Sequence, residues 1–122
     1  GQGNLASAED LAVLVRALKE RQPEIFSLLG KEEESVYTAA GTFHHTAYST
    51  NLLLRQNNIP FAILAGKTGE TPQAKESLLL VTEAPNGGYL IHVVIGADNR
   101  FQEMRKLVNW VADSYQWKLP VL

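Results

Sequence analysis

Residues 63–72 read Ile-Leu-Ala-Gly-Lys-Thr-Gly-Glu-Thr-Pro, and Lys67 within them is the side chain best placed to do chemistry. Gly66 and Gly69 bracket it, and a residue without a Cβ lets another backbone come close. An ammonium held beside such a lane is a point charge suited to a carboxylate. Thr68 adds a hydroxyl, and the strand's own N–H and C=O groups can pair with an extended peptide. The implied chemistry is capture of an anionic peptide end. An ordinary strand-end lysine can carry the same triplet, so its meaning depends on the surrounding chain.

The other titratable candidates are weaker. His44 and His45 are neighbours, and on an extended backbone they point to opposite faces, where they cannot share one ion. Acidic or histidine partners at ligand spacing are lacking, so neither a metal site nor a cofactor is expected. His92 lies in an apolar run and reads as a satisfied core or layer-edge residue. Motifs for a nucleophile elbow, a phosphate-cradling glycine loop or a metalloprotease helix are absent from the sequence.

Elements of two kinds must position Lys67. Ser7 is a candidate N-cap with Asp10 three residues on, and Leu11, Leu14, Val15 and Leu18 form a helical stripe to about Arg21. Pro23 breaks that helix and opens a short second one ending at Gly30. Glu32, Glu33 and Glu34 read as a solvated surface connection, and residues 35–58 as a short strand followed by loop, with Leu52 to Leu54 anchoring it. The run Pro-Phe-Ala-Ile-Leu-Ala-Gly predicts a strand ending at Gly66. Two further strands follow, over residues 77–84 and 88–97, joined at Asn86-Gly87, where both central residues can take positive φ. Their near-continuous apolar runs predict cover on both faces. A last helix begins at Asp98 or Asn99 and runs to about Ser114, with Phe101, Met104, Leu107, Val108 and Val111 as its core stripe. The expected fold class is α+β: an antiparallel sheet of at least three strands packed with N- and C-terminal helices.

Composition narrows the function. The chain has 122 residues, 45% of them apolar, a formal charge of -2 and no cysteine. That is the size and composition of one globular domain. Residues 1–6 read as a cloning remnant or disordered lead, and residues 7–122 as a single domain. A weakly acidic chain lacks the basic footprint of a nucleic-acid binder. No apolar run approaches the roughly 18 residues of a membrane span. Without cysteine there is no disulfide, thiolate nucleophile or thiolate metal site.

Residues 7–117 taken in order resemble the carboxy-terminal part of the D-alanyl-D-alanine carboxypeptidases, low-molecular-weight penicillin-binding proteins that share the serine β-lactamase fold. The resemblance rests on Thr50, Asn51, Leu52 and Leu53, then Lys67, Thr68, Gly69 and Thr71, then Val93, Val94, Gly96, Ala97 and Arg105. It implies that Lys67 and Thr68 hold the terminal carboxylate of a peptidoglycan stem peptide or a β-lactam. Gly69 would leave room for the substrate backbone, and the Glu70 N–H would form half of an oxyanion hole. Thr71 matches the family pattern, whereas Glu70 stands where an aromatic residue or histidine is usual. A carboxylate there would repel the substrate unless it points away. The family's activated nucleophile is a serine in Ser-x-x-Lys, and these 122 residues contain none. Ser49-Thr50-Asn51 spells the family's other catalytic triplet, Ser-x-Asn, but coincides with the downstream Thr-Asn element and reads as a decoy.

The expectation is therefore a carboxy-terminal fragment of an extracytoplasmic serine-type carboxypeptidase, inactive by itself. It would be a truncated or proteolysed piece, or one chain whose other half is separate. The alternatives are a non-catalytic relative serving as a binding module, and an unrelated α+β adaptor with an accidental triplet. The strand Gly88 to Gly96, long and apolar, is expected to be paired. Its partner would be the missing amino-terminal portion, a second copy, or the chain's own Ser35 to Thr42.

Overall fold

The computed structural model describes residues 3–118. Residues 1–2 of the expected lead and 119–122 at the end of the expected domain lie outside the described residues. The order is α1 (Ala8–Arg21), α2 (Pro23–Leu28), β1 (Glu33–Tyr37), β2 (Phe43–Tyr48), α3 (Leu53–Gln56), β3 (Ile63–Thr71), β4 (Lys75–Glu83), β5 (Tyr89–Ala97) and α4 (Arg100–Ser114). β3, β4 and β5 form an antiparallel sheet in that order, and β1 and β2 pair in a separate hairpin. The α+β arrangement of a three-stranded antiparallel sheet between terminal helices is the one expected.

The signals that start α1, α2 and α4 act as the sequence suggests. Ser7 and Asp10 close a reciprocal capping box, with Ser7 N–H donating to Asp10 Oδ2 at 2.8 Å and Asp10 N–H to Ser7 Oγ at 3.1 Å. Pro23 sits in the first turn of α2. Asn99 caps α4 by accepting from the Gln102 N–H at 3.0 Å.

Side chains alternate across β4, which sends Leu78 and Leu80 to one face and Leu79 and Val81 to the other. The first pair packs with Leu53 of α3, Phe61, and Met104 and Val108 of α4. The second faces Val15 of α1 and partly buried Phe26 and Leu29. The core stripe predicted for α4 is present, although Phe101, Leu107 and Val111 are only partly buried. The stripe predicted for α1 is covered less well: Val15 is buried, but Leu14 is 64% exposed. One helix lying against a sheet shields its central residues before its flanks.

Four expectations change. β3 does not end at Gly66; it runs on to Thr71, because Lys67 to Thr71 stay in register with Lys75 to Leu79. It also begins at Ile63, after the irregular residues 60–62. Residues 33–48 are a hairpin, so Glu33 and Glu34 lie in a strand, though an exposed one. Residues expected to be loop form β2 and the short α3. Cross-strand pairing decided this where periodicity was silent. The β4–β5 turn is wider than a two-residue loop: Ala84 N–H donates to Gly88 O at 2.8 Å, and of Asn86 and Gly87 only the glycine takes positive φ, +91°. Finally, β1 pairs with β2 in its own sheet, so residues 35–42 are not the partner of β5. Among the described residues β5 pairs with β4 alone.

Candidate functional site

Among the described residues β3 is an edge strand, and its free edge is where the candidate site forms. Gly66 N–H donates outward to Leu29 O at 2.8 Å, away from β4. Backbone groups alternate sides along a strand, so the N–H groups of Thr68 and Glu70 also face outward, beyond the reach of α2. Lys67 and Thr68 project to opposite faces, yet both return to this edge. Lys67 Nζ donates to the Thr68 carbonyl oxygen at 2.5 Å, and Thr68 Oγ1 lies 2.5 Å from Thr50 Oγ1. Lys67 is exposed and takes part in no ion pair among the described residues. The result is a cation, two hydroxyls and outward N–H groups along one open edge, a set of donors suited to an anionic extended chain.

Two grooves flank that edge. One, of about 270 Å³, is bounded by Tyr48, Ser49, Thr50, Asn51, Lys67 and Thr68. The other, of about 280 Å³ and mainly apolar, lies under α1 between Leu14, Leu18, Lys67, Gly69 and Val93.

The two glycines turn out to serve different ends. A Cβ on Gly69 would meet nothing within 4 Å, so that position is an open lane, as the sequence suggests. A Cβ on Gly66 would come within 2.3 Å of Asn51 Nδ2, so the space above Gly66 is filled by this protein's own side chain. Asn51 is 2% exposed, and its Oδ1 accepts the Leu53 N–H at 3.2 Å at the start of α3. Ser49-Thr50-Asn51 is thus part of the site's wall, with Thr50 and Asn51 packed on β3.

Glu70 turns aside. Its carboxylate pairs with Arg100 Nη1 at 3.8 Å, and the same guanidinium nitrogen donates to the Gly69 carbonyl at 3.3 Å. The Arg100 side chain is 14% exposed, and its backbone N–H is fixed on Glu76 Oε2 at 2.9 Å. Sequence reasoning missed this residue and singled out Arg105, whose guanidinium bonds Gln56 Oε1 at 3.2 Å instead. A signal for Arg100 existed: a cation in the first turn of a helix opposes the helix dipole and needs another partner to hold it there. Thr71 accepts the Ala74 N–H at 3.0 Å and so shapes the β3–β4 turn.

The histidines divide. His92 is buried, its Nε2 3.0 Å from Thr82 Oγ1, and burial pushes its imidazole down to about 4. It is the satisfied core residue expected. His44 and His45 do not diverge: their Nδ1 atoms lie 2.6 Å apart. The register shifts here, Val36 pairing with His45 and Tyr37 with Phe43, so His44 is the extra residue of a bulge and swings towards its neighbour. Among the described residues no three His, Asp or Glu side chains converge as a metal site.

The sequence profile described as D-alanyl-D-alanine carboxypeptidase matches residues 1–99. The chain belongs to the D-alanyl-D-alanine carboxypeptidase family. Solved structures agree. Penicillin-binding protein 5 from Haemophilus influenzae is 26% identical with a TM-score of 0.70, over 86% of this chain and 29% of its own. An evolved penicillin-binding protein homologue from Mycobacterium tuberculosis has a TM-score of 0.72 at 18% identity, over 94% of this chain and 43% of its own. A D-alanyl-D-alanine carboxypeptidase from the same organism has a TM-score of 0.70 at 19% identity, over 96% and 44%. This chain therefore spans less than half the length of each of these relatives. No curated protein matches it. In this carboxypeptidase-family chain, Lys67, Thr68 and Gly69 lie together on one open strand edge, with Glu70 drawn off it by Arg100.

Proposed function

We propose that this chain carries the carboxylate-binding strand of a serine-type D-alanyl-D-alanine carboxypeptidase that trims peptidoglycan stem peptides outside the cytoplasm. The nucleophilic serine and its lysine would come from beyond these 122 residues, since no Ser-x-x-Lys occurs among them. The observation that carries the reading is the free edge of β3, with Lys67 Nζ and the Thr68 hydroxyl converging on it. A stem peptide would lie along that edge antiparallel to β3, its terminal carboxylate against Lys67 and Thr68, its backbone passing Gly69. Glu70 N–H would then face the scissile carbonyl as an oxyanion donor, worth roughly 10²–10³-fold in rate. Thr71 would support this strand through the turn it caps. A β-lactam would present its carboxylate to the same two residues.

The outer edge of β5 fits the same reading. It is apolar and unpaired among the described residues, and a strand from the rest of the domain would complete the sheet there. A second copy of the chain is the other candidate partner.

The test uses the complete enzyme. Lys67→Ala should lower hydrolysis of a D-Ala-D-Ala peptide by at least about a hundredfold while the fold persists, because the site loses its charge-assisted anchor. Gly69→Val should also impair it by closing the lane. Full turnover in both variants would sink the assignment. The chain alone should stay unmodified by labelled penicillin, and an acyl adduct on Ser49 in an intact mass spectrum would contradict this. A reading as a non-catalytic binding module draws on the missing Ser-x-x-Lys. The parental reading frame decides between the two: an upstream Ser-x-x-Lys supports the enzyme.

A further inference from the structure

We infer that Arg100 is a positioning residue for the oxyanion-binding peptide between Gly69 and Glu70, and that it also clears the Glu70 carboxylate from the substrate edge. This inference rests on the carboxypeptidase reading of the β3 edge. Arg100 Nη1 donates to the Gly69 carbonyl at 3.3 Å. That carbonyl and the Glu70 N–H belong to one planar amide, with the N–H on the outward side. A charged donor on the carbonyl draws electron density through the conjugated unit and strengthens the N–H at the other end. The same nitrogen holds Glu70 Oε2 at 3.8 Å, so one guanidinium acts on both groups of concern.

The placement of Arg100 is costly without such a role. It occupies the first turn of α4, where a cation opposes the helix dipole. Its side chain is largely buried, and its Nε is a buried donor without a hydrogen-bond partner. Three attachments fix it there: the Glu76 carboxylate on its backbone N–H at 2.9 Å, the Gly69 carbonyl, and Glu70. Glu76 and Glu70 are cross-strand partners on β4 and β3, so Arg100 ties the start of α4 to both strands at the site. Glu70 itself is 64% exposed, and its pairing is weak in energy but directional. At position 70 this chain has a carboxylate that needs a restraining cation, and Arg100 supplies it.

Acylation of the complete enzyme by benzylpenicillin tests this, with Arg100→Met, Arg100→Lys and Lys67→Ala compared to wild type. A polarised donor gains about 10–30% of its strength, so Arg100→Met should slow the limiting acylation step roughly two- to eightfold. The dissociation constant of the non-covalent complex should rise less than the acylation step slows, because the oxyanion forms only in the transition state and only the released Glu70 carboxylate acts on the ground state. Arg100→Lys should recover part of the loss through its charge. Lys67→Ala should show the reverse pattern, weaker initial binding. In the NMR spectrum of this chain, Arg100→Met should move the Glu70 amide proton upfield and leave those of Ala65 and Lys67 in place. An unchanged Glu70 amide, or a loss in Arg100→Met confined to binding, would overturn the inference while an effective Lys67→Ala keeps the site. If Lys67→Ala is silent, the site reading falls and takes the inference with it.

Discussion

The two faces of the β3–β4–β5 sheet are covered unequally. On the α4 face, Leu53, Leu78, Leu80, Met104 and Val108 are all buried to within 1% of full closure. On the α1 face, Val15, Ala65 and Val81 are buried, but Leu14 stays exposed and an apolar groove reaches Lys67 and Gly69. The dense face fixes where β3 lies; the open face leaves Lys67 accessible, while Thr68 projects to the other face and meets Thr50 there. Burial is thus concentrated on one side of the sheet, and the side that carries Lys67 stays open.

The largest effect that would break this comparison lies in the core. Leu80→Ala should destabilise the chain by about 2–5 kcal/mol, whereas Leu14→Ala should stay within about 0.5 kcal/mol. Equal losses in urea unfolding would show that the α1 face carries as much of the fold. Next comes His92, whose imidazole lies at about 4 in the folded chain against an unfolded value near 6.5. Between those values the unfolded chain binds the extra proton, so stability is full above about pH 6.5 and falls as the pH drops towards 4, by on the order of 3 kcal/mol. His92→Asn should flatten that slope; an unchanged slope would place the acid sensitivity elsewhere. The smallest effect separates the two glycines. Gly66→Ala should cost about 1–3 kcal/mol, because its methyl collides with buried Asn51, and the added change Asn51→Ala should relieve part of that. Gly69→Ala should leave stability within about 0.5 kcal/mol. A Gly66→Ala variant as stable as wild type would mean that Asn51 moves freely.

Much of the helical structure was legible because its signals are local. Ser7 with Asp10, Pro23, and the stripe from Phe101 to Val111 each act within a few residues. Residues 33–48 were legible only as a short strand from Ser35; the rest was hidden because Glu33 to Tyr37 carry no apolar alternation, and the strands exist through pairing with Phe43 to Tyr48. The bulge at His44 could not be read either, since it depends on how two strands fall into register.

The sequence by itself determined the family, the α+β class and the cluster Lys67, Thr68 and Gly69, because ordered motifs and short-range spacing carry that information. It also showed that no Ser-x-x-Lys is present. Tertiary structure alone decided that β3 continues through the triplet, as an edge that is free among the described residues. It alone placed Asn51 over Gly66, Thr50 beside Thr68, and Arg100 beside Gly69 and Glu70. Those contacts join residues 15, 18, 31 and 30 positions apart respectively, and no local propensity encodes them. They arise when the β3–β4 register and the packing of α3 and α4 bring distant segments to one strand edge.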